Sequence, residues 1–247
     1  MNARSLVVES DGLALDAGIC FADEPRGIAV LLHGIPSVNP PEPDDTGYPG
    51  LAERFAGRGW SAMWADLRGV RGSEGFFSIE GWVRDAMKVV ETARSLQPEL
   101  SFLALVGSSA GGAVSAEATR RGAPVDAMAL LGAPASWLSF AADPALGMQR
   151  VLADSGMPLA PDVLDNPAAW GDEFYRVTTE DSIVDVKVPI LIVHGTADDV
   201  VPVEHAHGLA ERAPDAELVV IDGALHVLRR DERAVERVLR WLDEVAP

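Results

Sequence analysis

The chain has 247 residues, 48% of them hydrophobic and 23% charged, a composition typical of a globular protein with one large domain or at most two. Lysine and arginine number 20 against 38 aspartate and glutamate residues, so the formal net charge is −18. Because nucleic acids and anionic membranes attract lysine and arginine, this acidic balance argues against either as a partner.

Short aliphatic runs alternate with stretches of helical periodicity along the chain. Residues 6–9 and 13–20 flank an Asp-Gly pair and predict an antiparallel hairpin at a sheet edge. Six further runs lack polar alternation and predict parallel strands buried on both faces, namely residues 27–34, 61–66, 102–107, 127–132, 189–195 and 217–222. Apolar residues at three- and four-residue steps predict helices over 79–96 and 234–245. Together they predict an α/β fold around a mostly parallel sheet.

Two stretches interrupt this alternation. Residues 37–46 hold three prolines and the acids Glu42, Asp44 and Asp45, and they predict a surface loop after the third strand. Residues 133–186 contain no clear strand, and we expect a small helical lid there, inserted after the sixth strand between core segments 1–132 and 187–247. The alternative is a pair of helices covering a sheet face. The lid side chains expected to contact substrate are Trp137, Trp170 and Phe174.

Residues 107–111 have the sequence G-x-S-x-G between a buried strand and a helix of small residues. A serine at such a sharp turn has strained backbone geometry, so the residues two positions away must lack bulk. The following helix directs its N-terminus at the hydroxyl and favours negative charge there. Ser109 is therefore the predicted nucleophile, with a glycine-rich turn of no chemical role as the alternative. Ser108 lies outside the centre of the motif and is expected to point elsewhere.

The chain offers five histidines as the base that Ser109 needs. His226 follows the last strand and should emerge at the carboxyl edge of the sheet, where sites of parallel sheets assemble. His33 and His194 each precede a glycine at a strand end and are expected to shape turns. His205 and His207 are expected on a solvated helix face. His226 is therefore the predicted base.

A carboxylate should orient the imidazole, and two backbone N–H groups should hold the oxyanion. Asp198 and Asp199 both lie in the loop after residues 189–195 and remain alternatives on these grounds. The predicted N–H donors are Ala110, directly after the nucleophile, and Ile35, in the turn after the third strand. Pro36 has no N–H and cannot serve.

With these motifs the chain resembles an α/β-hydrolase over nearly its whole length. His33-Gly34 is similar to the family's oxyanion turn, and residues 107–111 resemble its nucleophile elbow. The pattern H-G-x-x-D-x-x-V-P of residues 194–202 resembles the acid loop, which implies that Asp198 is the acid and Asp199 is not. The order of serine, aspartate and histidine is also that of the family.

Residues 66–75 resemble the D-x-R-G-x-G-x-S-x-G loop of the esterase, cinnamoyl-esterase-like and aminopeptidase-like branches. Arg71 stands where these branches usually have glycine. We interpret the loop as structural, with Asp66 and Arg68 bracing loops near the site. The short lid is similar to the caps of carboxylic-ester hydrolases, and serine at the elbow excludes the relatives that carry aspartate or cysteine there.

The resemblance implies a serine hydrolase that cleaves a carboxylic ester of a short or aromatic acyl group through an acyl-enzyme. An aminopeptidase or amidase on the same triad is the first alternative, since an acidic rim could bind a free amino group. A small-ligand-binding protein on this fold is the second.

Neither a metal nor an organic cofactor is expected, because the sequence has no cluster of ligands at metal spacing and no dinucleotide fingerprint. The single cysteine, Cys20, excludes an internal disulfide. No apolar segment is long enough for a signal peptide or a membrane span, which predicts a cytoplasmic protein. The expected partner is a small-molecule ester, with the protein a monomer or homodimer.

Overall fold

The hydrophobic runs form the strands of one sheet in the computed structural model, which describes residues 3–213 and 215–247. These strands are β1 (Arg4–Ser10), β2 (Leu13–Cys20), β3 (Gly27–Leu32), β4 (Trp60–Ala65), β5 (Leu103–Ser108), β6 (Ala127–Leu131), β7 (Ile190–Gly195) and β8 (Glu217–Ile221). Their order across the sheet is β1-β2-β4-β3-β5-β6-β7-β8. β2 is antiparallel to both neighbours and the other pairs are parallel, which confirms the expected sheet and its edge hairpin.

Helices flank this sheet. Within the described ranges they are α1 (Gly47–Gly57), α2 (Ile79–Leu96), α3 (Ala110–Arg120), α4 (Leu138–Ala141), α5 (Pro144–Arg150), α6 (Pro161–Asp165), α7 (Pro167–Arg176), α8 (Thr179–Ser182), α9 (Glu204–Arg212) and α10 (Glu232–Val245). None of these helices combines the length and the apolar character that crossing a membrane requires.

The alternation of side chains along β3 shows why its sequence is apolar throughout. Ile28, Val30 and Leu32 belong to the hydrophobic cluster that includes side chains of α2 and α3. Ala29 and Leu31 belong to the cluster that includes side chains of α1 and α10. Successive side chains of a strand point to opposite faces, so a strand with helices on both faces needs apolar residues at every position.

β8 departs from this rule. Among the described strands it pairs with β7 alone, and its residues are mostly half-buried, with Val220 38% exposed. The expectation of burial on both faces is therefore wrong for β8, because an edge strand lacks the second neighbour and part of the helical cover that the central strands have.

Residues 133–186 form a helical insertion between β6 and β7 that contains α4 to α8. Two backbone hydrogen bonds attach it to loops of the core, from the Phe77 N–H to the Pro158 carbonyl and from the Val38 N–H to the Asp154 carbonyl, each 2.8 Å long. The insertion is helical as expected, and its role as a lid remains a prediction.

Candidate active site

The turn between β5 and α3 holds Ser109 in an unusual backbone conformation, with φ 52° and ψ −122°. Such positive φ values are uncommon outside glycine and occur at functional sites. The glycines of the motif have a steric reason. A Cβ at Gly107 would lie 2.3 Å from the Gly111 carbonyl oxygen, and one at Gly111 would lie 2.5 Å from that of His33. The motif thus permits a turn in which the serine hydroxyl precedes a helix N-terminus.

Asp198 and His226 form a direct pair. Nδ1 of His226 lies 2.7 Å from Oδ2 of Asp198, and the carboxylate is fully buried. Its other oxygen, Oδ1, accepts hydrogen bonds from the backbone N–H groups of Val200 at 3.0 Å and Val201 at 2.8 Å. Asp199, the competitor in the sequence, is exposed. The structure therefore brings Asp198 to the predicted base and leaves Asp199 at the surface.

A second histidine contacts the same carboxylate, which the sequence reasoning missed. Nε2 of His194 lies 2.8 Å from the Val201 carbonyl oxygen and 3.2 Å from Oδ2 of Asp198. Burial raises the pKa of Asp198, but hydrogen bonds from His194, His226 and the Val201 N–H outweigh it and hold the pKa well below its ordinary value. The four-residue spacing between His194, near the end of β7, and Asp198, in the following loop, was the available signal.

The end of β6 lies between the serine and this pair. The Ser109 N–H donates to the Leu131 carbonyl over 2.8 Å. A Cβ on the next residue, Gly132, would lie 3.4 Å from Oδ2 of Asp198 and 3.5 Å from Nδ1 of His226. All three predicted residues thus gather at this strand end. Among the described residues, however, only Asp198 and His226 are joined directly, and the Ser109 hydroxyl makes no hydrogen bond to the imidazole.

The predicted oxyanion donors lie on two sides of the elbow. Ala110 is the first residue of α3 and is buried. Ile35 is half-buried and follows Gly34, where a Cβ would lie 2.7 Å from Cβ of Ser109 and 3.3 Å from its hydroxyl oxygen. Because the first N–H groups of a helix have no partner within the helix, Ala110 can offer its N–H to a ligand. The close approach at Gly34 brings the Ile35 turn next to the nucleophile.

The other histidines differ in environment. His33 is buried, and its Nε2 accepts the Leu67 N–H over 2.9 Å, in line with a role in shaping the turn. His205 does not lie on a solvated face as expected, because its Nδ1 accepts the Ala135 N–H over 3.0 Å and burial lowers its pKa. His207 is exposed.

The loop of residues 66–75 is braced by ion pairs. Arg68 donates to the buried carboxylate of Asp85 and also to Asp11, which ties the loop to α2 and the N-terminal hairpin. Arg71 has φ 48°, the conformation that favours glycine, and its guanidinium lies 2.5 Å from Asp66. Arg71 therefore replaces the usual glycine at a position whose positive φ favours glycine.

The aromatic residues of the insertion pack on one another. Trp137, Trp170 and Phe174 are all buried, with ring centroids of Trp170 and Phe174 4.6 Å apart and those of Trp137 and Phe174 5.7 Å apart. They belong to the hydrophobic cluster that includes Ala110 and borders Ile35. The three rings thus pack inside the same core cluster as residues beside the elbow, and contact with a substrate remains a prediction.

The acidic loop is paired with arginines near His226. Asp45 forms a bidentate ion pair with Arg229, in which both nitrogen–oxygen distances are 2.5 Å. Asp44 forms an ion pair of 2.8 Å with Arg230. The hydrogen bonds from Arg229 lower the pKa of Asp45 to about 2. These residues line a groove of about 500 Å³ between loops 44–47 and 223–231.

Among the described residues, no three histidine, cysteine or acidic side chains converge as metal ligands.

Comparisons with known proteins identify the family of the chain. The model of the family described as "Serine aminopeptidase, S33" matches residues 23–162 and 165–233. No match is found among curated proteins.

Solved structures show the same fold. Est1E from Butyrivibrio proteoclasticus with bound ferulic acid has a TM-score of 0.73 and 20% identity, over 97% of this chain and 98% of that one. The esterase Pf2001 of Pyrococcus furiosus has a TM-score of 0.72 and 17% identity, over 100% and 93%. The acylaminoacyl peptidase of Pyrococcus horikoshii has a TM-score of 0.74 and 15% identity, over 99% of this chain and 42% of that one. The expected α/β-hydrolase fold is confirmed, and the chain belongs to the serine aminopeptidase S33 family of hydrolases.

Proposed function

We propose that this hydrolase cleaves carboxylic esters through an acyl-enzyme on a triad of Ser109, His226 and Asp198. The observation that carries the proposal is the buried pair of Asp198 and His226, 2.7 Å apart at the strand end to which the strained turn of Ser109 is bonded. A carboxylate that orients an imidazole serves proton transfer, whereas a protein that only binds a ligand has no need of it. The pair therefore supports catalysis over passive binding.

The reaction proceeds in two halves. The Ser109 hydroxyl oxygen attacks the ester carbonyl carbon as its proton passes to Nε2 of His226, and the N–H groups of Ala110 and Ile35 hold the tetrahedral oxyanion. The carbon–oxygen bond to the alcohol then breaks, and His226 returns the proton to the leaving oxygen. Water repeats the sequence on the acyl-enzyme and releases the acid. Within each half His226 is first base and then acid.

Asp198 supports the charge that appears on His226 in each half. Its carboxylate is buried, and the hydrogen bonds that lower its pKa keep it ionised when the imidazole becomes positive. The acceptor position of Oδ2 also fixes the hydrogen of His226 on Nδ1, so that Nε2 is available as the base.

The pairing of Asp44 and Asp45 with arginines favours an ester over an aminopeptidase substrate. A free amino group needs an unpaired carboxylate near the site, yet Asp45 is bound on both oxygens by Arg229 and Asp44 contacts Arg230. A protonated amine would have to compete with a guanidinium for Asp45. Hydrolysis of aminoacyl amides stays the second candidate, because the family description names an aminopeptidase.

The acyl group is proposed to lie between the elbow and the helical insertion. Trp137, Trp170 and Phe174 are buried in the hydrophobic cluster that contains Ala110 and borders Ile35, so the interior beside the elbow is apolar, which suits a short or aromatic acyl group. Two structural neighbours support this choice, since Est1E was solved with ferulic acid, an aromatic acid, and Pf2001 is an esterase.

The test is turnover of p-nitrophenyl esters from acetyl to decanoyl, with an aminoacyl p-nitroanilide alongside, by wild type, Ser109→Ala and Ser108→Ala. Ser108 is the matched control because its hydroxyl contacts Tyr48 and not the predicted triad. We expect Ser109→Ala to lose at least about 10³ in kcat and Ser108→Ala to stay within about tenfold of wild type. Preference for the anilide would favour the aminopeptidase. Equal turnover by wild type and Ser109→Ala would overturn the triad, and with no turnover at all the ligand-binding alternative would stand.

A further inference from the structure

His194 is a fully buried imidazole that the proposed reaction does not use. It lies near the end of β7, where the loop that carries Asp198 begins. Its Nε2 lies 2.8 Å from the carbonyl oxygen of Val201 and 3.2 Å from Oδ2 of Asp198. Nε2 of His194 therefore lies close to two groups of this loop, the Asp198 carboxylate and the Val201 carbonyl.

The surroundings of the ring determine which nitrogen carries the hydrogen. Nδ1 of His194 is buried and has no hydrogen-bond partner within residues 3–213 and 215–247. A hydrogen on Nδ1 would be left without an acceptor, and the lone pair of Nε2 would face the oxygens of Val201 and Asp198, which is unfavourable. The hydrogen therefore lies on Nε2, shared between the Val201 carbonyl as the nearer acceptor and the carboxylate.

With this donor, each oxygen of Asp198 has two donors. Oδ1 accepts the N–H groups of Val200 and Val201, while Oδ2 accepts His226 at 2.7 Å and His194 at 3.2 Å. Without His194, Oδ2 would be held only by His226, the ring that it has to orient. A second, buried donor keeps Oδ2 directed at His226 independently of that ring.

We propose that His194 is a positioning residue, whose Nε2–H aligns the Asp198 carboxylate with His226 and closes the loop at Val201. It acts through Asp198 and touches neither substrate nor reacting atoms. The inference rests on the proposed triad, so its test must separate failure of the triad from failure of His194.

Loss of this alignment should affect the chemical step and not substrate binding. His194 contacts Asp198 and not the substrate, so its removal should lower kcat and leave KM nearly unchanged. A side chain that donates an N–H from the same place should restore kcat.

The experiment compares kcat and KM of wild type, His194→Ala and His194→Gln on the preferred p-nitrophenyl ester at neutral pH. The Gln side chain can place an amide N–H near the position of Nε2–H, so it is the conservative variant. His205→Gln is the matched control, since His205 accepts the Ala135 N–H and makes no hydrogen bond to Asp198. We expect His194→Ala to lose about tenfold or more in kcat, with KM within about twofold of wild type. His194→Gln should restore most of the kcat, and His205→Gln should match wild type.

The outcomes separate the two proposals. Activity that survives Ser109→Ala overturns the triad itself. Activity that requires Ser109 overturns the role of His194 alone if folded His194→Ala keeps the wild-type kcat, or if its loss appears in KM and His194→Gln does not restore it. If neither His194 variant folds, ¹⁵N NMR of histidine-labelled wild type decides: a hydrogen on Nε2 of His194 supports the proposal, and one on Nδ1 overturns it.

Discussion

The backbone N–H of Ser109 donates to the carbonyl of Leu131 over 2.8 Å, which fixes the strained turn after β5 to the end of β6. Gly132 follows directly, and a Cβ there would lie 3.4 Å from Oδ2 of Asp198 and 3.5 Å from Nδ1 of His226. The serine turn and the acid–base pair therefore share one support, although the residues come from three distant parts of the chain. Neighbouring parallel strands make this possible, because their carboxyl ends meet at one edge of the sheet.

The first prediction concerns the two adjacent acids of the loop. Asp198→Asn keeps the shape of the side chain but removes the charge and presents an amide where His226 needs an acceptor, so the imidazole adopts the wrong tautomer. We expect kcat to fall by about 10⁴-fold, as for the loss of the aspartate charge in other triads. Asp199→Asn is the matched control, since Asp199 is exposed, and it should stay within about twofold of wild type. Steady-state kinetics on one ester checks both, and equal losses would contradict the assignment of Asp198.

The second prediction concerns the elbow glycines. A Cβ at Gly111 would lie 2.5 Å from the His33 carbonyl and 2.6 Å from the Leu32 carbonyl, both backbone atoms that cannot move aside cheaply. Gly111→Ala should therefore displace α3 from β3 and abolish labelling of Ser109 by a fluorophosphonate. Gly208→Ala is the control, because a Cβ there meets nothing within 4 Å and alanine favours the helix α9. Undiminished labelling of Gly111→Ala would contradict the close approach.

The third prediction is a pH dependence of stability. Pairing with Arg229 lowers the pKa of Asp45 from 3.8 to about 2. A carboxyl group whose pKa is lower in the folded state stabilises the fold at higher pH and loses that contribution as the pH falls through the folded value. Asp45→Asn should therefore unfold at lower urea concentration than wild type at neutral pH, and the difference should shrink between pH 3.8 and about 2.

Asp44→Asn provides the comparison for Asp45. Asp44 is 82% exposed and its pair with Arg230 lies at the surface, where such pairs contribute little. The urea midpoint of Asp44→Asn should match that of wild type over the whole pH range. A difference between Asp45→Asn and wild type that persists undiminished at pH 2 would show that the ionised pair is not its cause.

The sequence predicted those features that depend on neighbouring residues. Apolar runs predicted the central strands, and the glycines around Ser109 predicted the turn. Both features arise from burial and steric contacts that a local pattern reflects. The contact between His194 and Asp198 was not predicted although they are only four positions apart in the sequence. The spacing does not indicate the direction in which a buried ring points. The pair of Asp45 and Arg229 spans 184 residues and depends on two loops meeting above the sheet. No pattern within either loop indicates that meeting.

The last prediction concerns Arg71, which has φ 48° at a position where the resembling loops have glycine. A residue with a Cβ is less stable than glycine in this conformation by roughly 1–2 kcal/mol, partly offset by the greater freedom of glycine in the unfolded chain. Arg71→Gly and Arg71→Ala both lose the ion pair with Asp66, so their difference isolates the backbone term. We expect the glycine variant to be more stable by about 1 kcal/mol in urea unfolding.

Arg84 provides the opposite case for the same pair of substitutions. It is also an exposed arginine in an ion pair, with Asp11, but it lies inside α2 where the backbone is helical. Glycine in a helix interior is less stable than alanine by about 1 kcal/mol, so here Arg84→Ala should be the more stable variant. If glycine is the more stable variant at position 71 and alanine at position 84, the effect lies in the backbone conformation of Arg71. The same order of stability at both sites would contradict it, because all four variants lose the charge and the long side chain.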